Sequence, residues 1–155
     1  MKGSQALRTI VVAWLIAGIL DITSAFVIAG LKGTGSIRML HGIASGLLGA
    51  RSFEGGLVTA GFGLAIHFLI AFTAAALFYA ASRKFSFLIE HAIVSGLLYG
   101  IAVYILMYWI VVPLAIPIAR HSISRDLTAI IVHMSLIGLP IALVIRYFSR
   151  EQTLT

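Results

Sequence analysis

Three ionisable side chains sit where the sequence offers them little water. Asp21 lies 13 residues after Arg8 and 11 before Lys32, inside an apolar run. His67 is 16 residues from both Arg51 and Arg83. His133 follows Arg125 by 8 residues. At about 1.5 Å per helical residue, one carboxyl and two imidazoles reach similar depths on separate apolar segments. Such groups are costly in hydrocarbon and face a partner or a wet cavity. Three kinds of chemistry fit the set. Asp21 and His67 can form a polar clasp that fixes helix register. The cluster can carry protons or ions, because an imidazole titrates near neutral pH. His67 and His133 can ligate a metal or a haem, provided that both rings face one cavity.

The neighbours of these residues are small. Asp21 belongs to a row at spacing four, Ala13, Ala17, Asp21, Ala25 and Ala29. His67 belongs to a similar stripe with Ala60, Gly63, Ala71 and Ala74. Small residues mark the face where membrane helices approach closely, so Asp21 and His67 are expected to point at other helices. Ala17 and Gly63 are the expected close-packing positions. Gly96 and Gly100 add a GxxxG face, read as intramolecular packing with a dimer seam as the alternative. Glu90 and His91 lie near Arg83 and Lys84 and are expected to form an interfacial ion-pair cluster. Tyr104, Tyr108 and Trp109 are read as an aromatic belt at the membrane surface.

The elements that position these residues are four long apolar segments, about 7–31, 56–81, 87–112 and 127–145. Each is long enough to cross the roughly 30 Å hydrocarbon core as a helix. Helices are required because lipid supplies no partners for exposed backbone groups. Pro113 is expected to end the third span and, with Pro117, to force an irregular segment. Pro140 is expected to kink the fourth span. The fold class is therefore an all-α integral membrane protein with four transmembrane helices, forming a single membrane domain over 1–155.

A fifth segment, about 36–50, is too short to cross. As a helix it gathers Arg38, His41, Gly42, Ser45 and Gly49 on one face and Ile37, Leu40, Ile43 and Leu47 on the other. It reads as an amphipathic interfacial helix or a re-entrant half-helix. Shifted by 50 residues, "SIRMLHGIASGLL" (36–48) matches "SFLIEHAIVSGLL" (86–98) at 7 of 13 positions. The match raises an inverted repeat of the kind that builds transporter folds.

Composition narrows the function. The chain of 155 residues is 61% hydrophobic and 10% charged, against about 25% charged for soluble domains. It has no cysteine, which excludes disulfides and thiol chemistry. The net charge of +6 comes from Lys and Arg in short loops, where it serves lipid headgroups; no nucleic-acid partner is expected. The basic residues divide six to five between the two sides, so both termini are expected in the cytoplasm. No cleaved signal peptide or lipidation motif is expected. The sequence lacks GxSxG, HExxH, Walker and dinucleotide motifs. Ser24, His67 and Asp21 supply the types of a hydrolytic triad without its nucleophile elbow, so no enzyme is expected and no catalytic residue is assigned.

The stretch "ASGLLGARSFEGGLVTAGFGLAIHFLIAFTAAALFYAASRK", followed by "GLLYG" and "MYWIVVPLAIP", resembles small four-span bacterial inner-membrane proteins of unknown function, the YagU-like proteins. The likeness covers about Ala6 to Tyr147. It implies a multi-pass protein of the bacterial inner membrane and brings no site residues. The resulting expectation is a small channel- or transporter-like bundle around Asp21, His67 and His133, without a cofactor. The alternatives are an accessory or assembly subunit of a larger membrane complex, and a haem- or metal-binding membrane protein. The expected partners are the lipid bilayer and either further copies of the chain or a larger complex.

Overall fold

The computed structural model describes residues 2–115 and 122–151. Helix α1 (Lys2–Leu31) leads through a tight turn to α2 (Ser36–Leu48) and a short 3₁₀ turn (Gly49–Phe53). Helix α3 (Gly56–Lys84) is followed by the single-turn α4 (Phe87–Glu90). Helix α5 (Ala92–Ile105) continues through a π-helical stretch (Leu106–Val111) into α6 (Val112–Ala115). Helix α7 (Ile123–Val132) passes through a second π-helical stretch (His133–Gly138) into α8 (Leu139–Glu151). There is no strand among the described residues. Among the described residues four stretches are long and apolar enough to cross a membrane: Gly3–Leu31, Gly56–Lys84, Ala92–Val111 and Ile123–Arg150. This is the all-α architecture of a multi-pass membrane protein.

Packing follows the rule for helices in lipid rather than in water. Large aliphatic side chains such as Leu31, Val58 and Leu69 face outward. The centre is built largely of alanines, with Ala13, Ala17, Ala75 and Ala142 against Phe78, Ile141 and Ile145. Lipid tails are as apolar as leucine, so nothing drives Leu inward, and small residues let the backbones close. The ends of α1 and α8 meet: the Arg8 guanidinium lies over the Phe148 ring, 5.2 Å from its centroid.

The tightest seam joins α5 to the α7–α8 segment through Gly96, Gly100 and Gly138. A methyl at Gly96 would fall 2.9 Å from the Cβ of Ala142 and from the Gly138 carbonyl. A methyl at Gly100 would collide with the His133 carbonyl, and one at Gly138 with the Gly96 carbonyl. The GxxxG face is therefore used within the chain.

Both described span prolines lie inside helices, and each follows a π-helical turn by two residues. The Val112 N–H bonds the Met107 carbonyl ahead of Pro113, and the Leu139 N–H bonds the Met134 carbonyl ahead of Pro140. A proline ring has no N–H and crowds the carbonyl four residues back. The wider turn absorbs both defects, so Pro113 does not end its helix and the third span runs to at least Ala115. Pro117 and Arg120 lie outside the described residues.

Two other sequence expectations change. The third span does not start at residue 87. The backbone breaks at His91 (φ −108°, ψ 44°), and the long helix begins at Ala92. The expected cluster of Glu90, His91, Arg83 and Lys84 does not form as ion pairs. Glu90 and His91 are exposed, and Lys84 lies over the Phe85 ring instead. Exposed ion pairs are worth about 0–1 kcal/mol, too little to hold these side chains together. Helix α2 turns Leu40, His41, Ala44 and Ser45 inward and leaves Ile37 and Leu47 exposed. The deciding contact is Gly63 of α3, whose missing Cβ makes room for the Leu40 carbonyl and the Ala44 N–H. Helix α2 stops at Leu48 because Gly49 adopts a positive φ (62°). The two halves of the 50-residue match fold differently. One is a continuous helix with His41 buried; the other is broken at an exposed His91.

Two predictions follow from this packing. Gly100→Ala is expected to destabilise the bundle by about 1–3 kcal/mol through overpacking. Gly61→Ala, whose methyl meets nothing within 4 Å, is expected to be neutral or stabilising by up to about 1 kcal/mol. Melting temperatures in detergent distinguish the two, and equal losses would refute the seam. For topology, Gly3→Cys and Lys84→Cys are expected to react with an impermeant thiol reagent from one side of the membrane and Arg51→Cys from the other. Labelling of positions 3 and 84 from opposite sides would refute four crossings.

Candidate functional site

Helices α1 and α3 are held by two reciprocal hydrogen bonds about one turn apart. The Trp14 indole N–H donates to the Phe68 carbonyl at 2.7 Å. The His67 Nε2–H donates to the Gly18 carbonyl at 3.0 Å. Gly18 is needed for this approach, because a methyl there would lie 2.8 Å from the Phe68 ring. Each carbonyl already serves its own helix, and its second lone pair takes the neighbour's side chain.

The bond to Gly18 sets the chemistry of His67. A carbonyl only accepts, so Nε2 carries the hydrogen and Nδ1 faces Asp21. Nδ1 lies 3.9 Å from Asp21 Oδ2, with the Asp21 side chain 17% and the His67 side chain 12% exposed. This is ion-pair range and too long for a direct hydrogen bond. An ionised carboxylate facing a neutral Nδ1 would set lone pair against lone pair. One proton on either group removes the conflict, giving a neutral pair or a carboxylate–imidazolium pair. The expected meeting of Asp21 and His67 is thus present in the geometry, at a separation that a side-chain shift of about 1 Å would close to a hydrogen bond.

His133 comes from the other side. It is 8% exposed, and its Nδ1–H donates to the Ala129 carbonyl of its own helix at 2.8 Å. That leaves Nε2 as an open acceptor. His133 lines the same cavity as Asp21 and His67. The His133 ring is edge-on to Tyr104 and Tyr108, at 6.1 and 5.8 Å. Tyr104 and Tyr108 stack at 5.0 Å.

These groups stand at the inner end of a cavity of about 460 Å³. Asp21, His67, Tyr108 and His133 line it together. Ile28, Met39, Ile43, Met107 and Val112 supply apolar walls, and Lys32, Thr34 and Arg125 form the rim. Helix α2 thereby serves as a wall. Toward the chain ends the cavity is shut. The Tyr99 hydroxyl donates to the Ala74 carbonyl at 2.8 Å, Phe78 packs on the Tyr99 ring at 5.0 Å, and Ile141 and Ile145 are fully buried behind them.

Several sequence expectations are answered by position. Ser24 bonds the Asp21 backbone carbonyl, so the paper triad is not assembled. Among the described residues no group of three His, Asp or Glu side chains is placed to hold a metal ion. Ala17 is buried in the α1 row, and Gly63 is buried under α2. Tyr104 is buried and Tyr108 half-buried, so neither belongs to an aromatic belt; Trp109 does face outward. The signal for the tyrosines was in the sequence, since Gly96, Gly100, Tyr104 and Tyr108 share one spacing-four row. The cavity roles of Lys32 and Arg125 had no such signal. No family model, curated protein or solved structure matches the chain.

The pairing predicts non-additivity. Asp21→Ala and His67→Ala are each expected to destabilise the bundle, and the double variant should be no worse than the poorer single variant. The coupling is expected at about 0.6–2 kcal/mol. Chemical or thermal unfolding in detergent measures it, and strict additivity would remove the pair.

Proposed function

We propose that this protein is a small, non-catalytic transport-type bundle of the bacterial inner membrane, with Asp21, His67 and His133 as its titratable centre and both termini in the cytoplasm. The observation that carries the reading is the convergence of one carboxyl and two imidazoles at the inner end of a one-sided cavity. Intramembrane ionisable groups that meet at a cavity mark ion and proton pathways. The His67–Asp21 pair can hold its proton on either partner without changing net charge, and His133 offers a further acceptor on the wall of the same cavity. The packed half around Phe78, Ile141 and Ile145 argues for an alternating site rather than a standing pore. The two π-helical turns lie at the cavity's depth, and π-bulges recur at functional sites.

Proteoliposomes with an imposed pH gradient and an entrapped pH-sensitive dye test the reading. Wild-type protein is expected to dissipate the gradient faster than protein-free vesicles. Asp21→Asn keeps the shape and a hydrogen-bonding amide but loses the titrating group; it is expected to return the rate to background with its melting temperature retained. Wild-type flux equal to empty vesicles, or undiminished flux in a folded Asp21→Asn variant, refutes the proposal.

A further inference from the structure

We infer that the cavity receives an amphipathic anion, a single negative group carried on an apolar chain. The inference rests on the cavity being the working site and names what enters it. Lys32 sits in the turn after α1 and Arg125 in α7, yet both line the same cavity. Neither has an ion-pair partner among the described residues. Arg38, Arg51, Arg83 and Lys84 do not line it, so the rim is more than a general band of basic residues. Asp21 is the one acid among the lining residues, and it stands at the inner end, already facing His67. The rim thus presents two positive charges, with Thr34 and Thr128 adding hydroxyls.

Below the rim the walls turn apolar. Ile28, Met39, Ile43, Met107 and Val112 surround the middle of the cavity. A small inorganic anion has no use for those walls, and an uncharged hydrocarbon has no use for the rim. A cation would meet Lys32 and Arg125 before it reached Asp21. The volume of about 460 Å³ is within the range of small-molecule sites. The two methionines give walls that adapt to chains of different shape. At the inner end, the open Nε2 of the nine-tenths buried His133 can accept a hydrogen bond from a second polar group. Either a free organic anion or an anionic lipid has this chemistry.

Binding in nanodiscs tests the inference separately from transport. The probes are octanesulfonate, octyltrimethylammonium and octanol, added to protein in phosphatidylcholine nanodiscs, with protein-free discs as the partition control. Octanesulfonate is expected to bind saturably and to raise the melting temperature, and the other two are not. Lys32→Gln and Arg125→Gln are each expected to weaken octanesulfonate about tenfold or more, the scale of a charged hydrogen bond. Arg125→Lys should recover most of the loss. If phosphatidylglycerol in the discs competes with octanesulfonate, the site is filled from the lipid; if it does not, from free solute. Both results keep the anionic chemistry. Equal binding of the three probes, or wild-type affinity in the Lys32→Gln/Arg125→Gln double variant, overturns the inference. Binding is read on the wild-type protein without a pH gradient, so saturable octanesulfonate binding with no proton flux refutes the transport reading alone and leaves this one standing.

Discussion

The hydrogen bond from His67 to the Gly18 carbonyl governs the interior of this protein. In an apolar bundle the only abundant acceptors are main-chain carbonyls, each with a lone pair left after helix formation. The chain uses them repeatedly to join elements. Trp14 donates to Phe68, His67 to Gly18, and Tyr99 to Ala74. His41 Nε2 meets the Gly56 carbonyl in the same way. Each bond satisfies a side chain that would otherwise be expensive in lipid. The bond to Gly18 does more, because it fixes which nitrogen of His67 faces Asp21. Without it the ring could turn its hydrogen toward the carboxylate, and the pair would need no shared proton. A backbone carbonyl thus decides which edge of the imidazole the carboxyl meets.

The prolines have a comparable double role. A proline within a span leaves one carbonyl short of a donor and pushes against the preceding turn. Here both are preceded by π-helical turns, Leu106–Val111 and His133–Gly138. One π turn contains Tyr108 and the other begins at His133, and the two rings touch. A π turn shifts every later side chain around the helix axis relative to an α-helical count. The seam of Gly96, Gly100 and Gly138 holds the two distorted helices together at this level. The distortions are therefore locked by packing, and they lie beside the acid they surround.

Much of this could be read from residue spacing, and the remainder had physical reasons to stay hidden. Four apolar runs and the need to satisfy backbone groups lead directly to four crossing helices. The spacing-four rows through Ala17 and Asp21, and through Gly63 and His67, mark faces with no bulk, and those faces lie inside. The inward turn of Tyr104 and Tyr108 was present in the same kind of row but was masked by their place near the end of a span, where tyrosine usually marks the interface. For helix α2 the spacing gave two faces but not which one packs, because the neighbour decides it: Gly63 of α3 admits the backbone of α2, so Leu40 turns inward while Ile37 and Leu47 turn outward. The ion pairs expected around Glu90 were a matter of energy, since water and headgroups compete for exposed charges. Nothing in the spacing of Lys32 or Arg125 shows that two separate helix ends share one rim; that fact exists only in three dimensions.

The cavity is a consequence of how bulk is distributed along the spans. In the half of the bundle near the chain ends, alanines on α1 and α3 are opposed by Phe78, Ile141 and Ile145, and the space is filled. In the other half, Ala25, Ala29 and Ala71 present the same small faces. The second core cluster, Ile22, Leu40 and Ala60, sits aside where α2 meets α3. Small faces without opposing bulk either collapse or remain open. Collapse would press Asp21, His133 and the rim cations into hydrocarbon and against one another, at the cost of desolvating several polar groups at once. The polar residues therefore oppose closure of the space. Replacing the polar groups by leucine would remove the reason for the cavity as well as its chemistry, which is why the site and the hollow half of the bundle have to be understood as one feature.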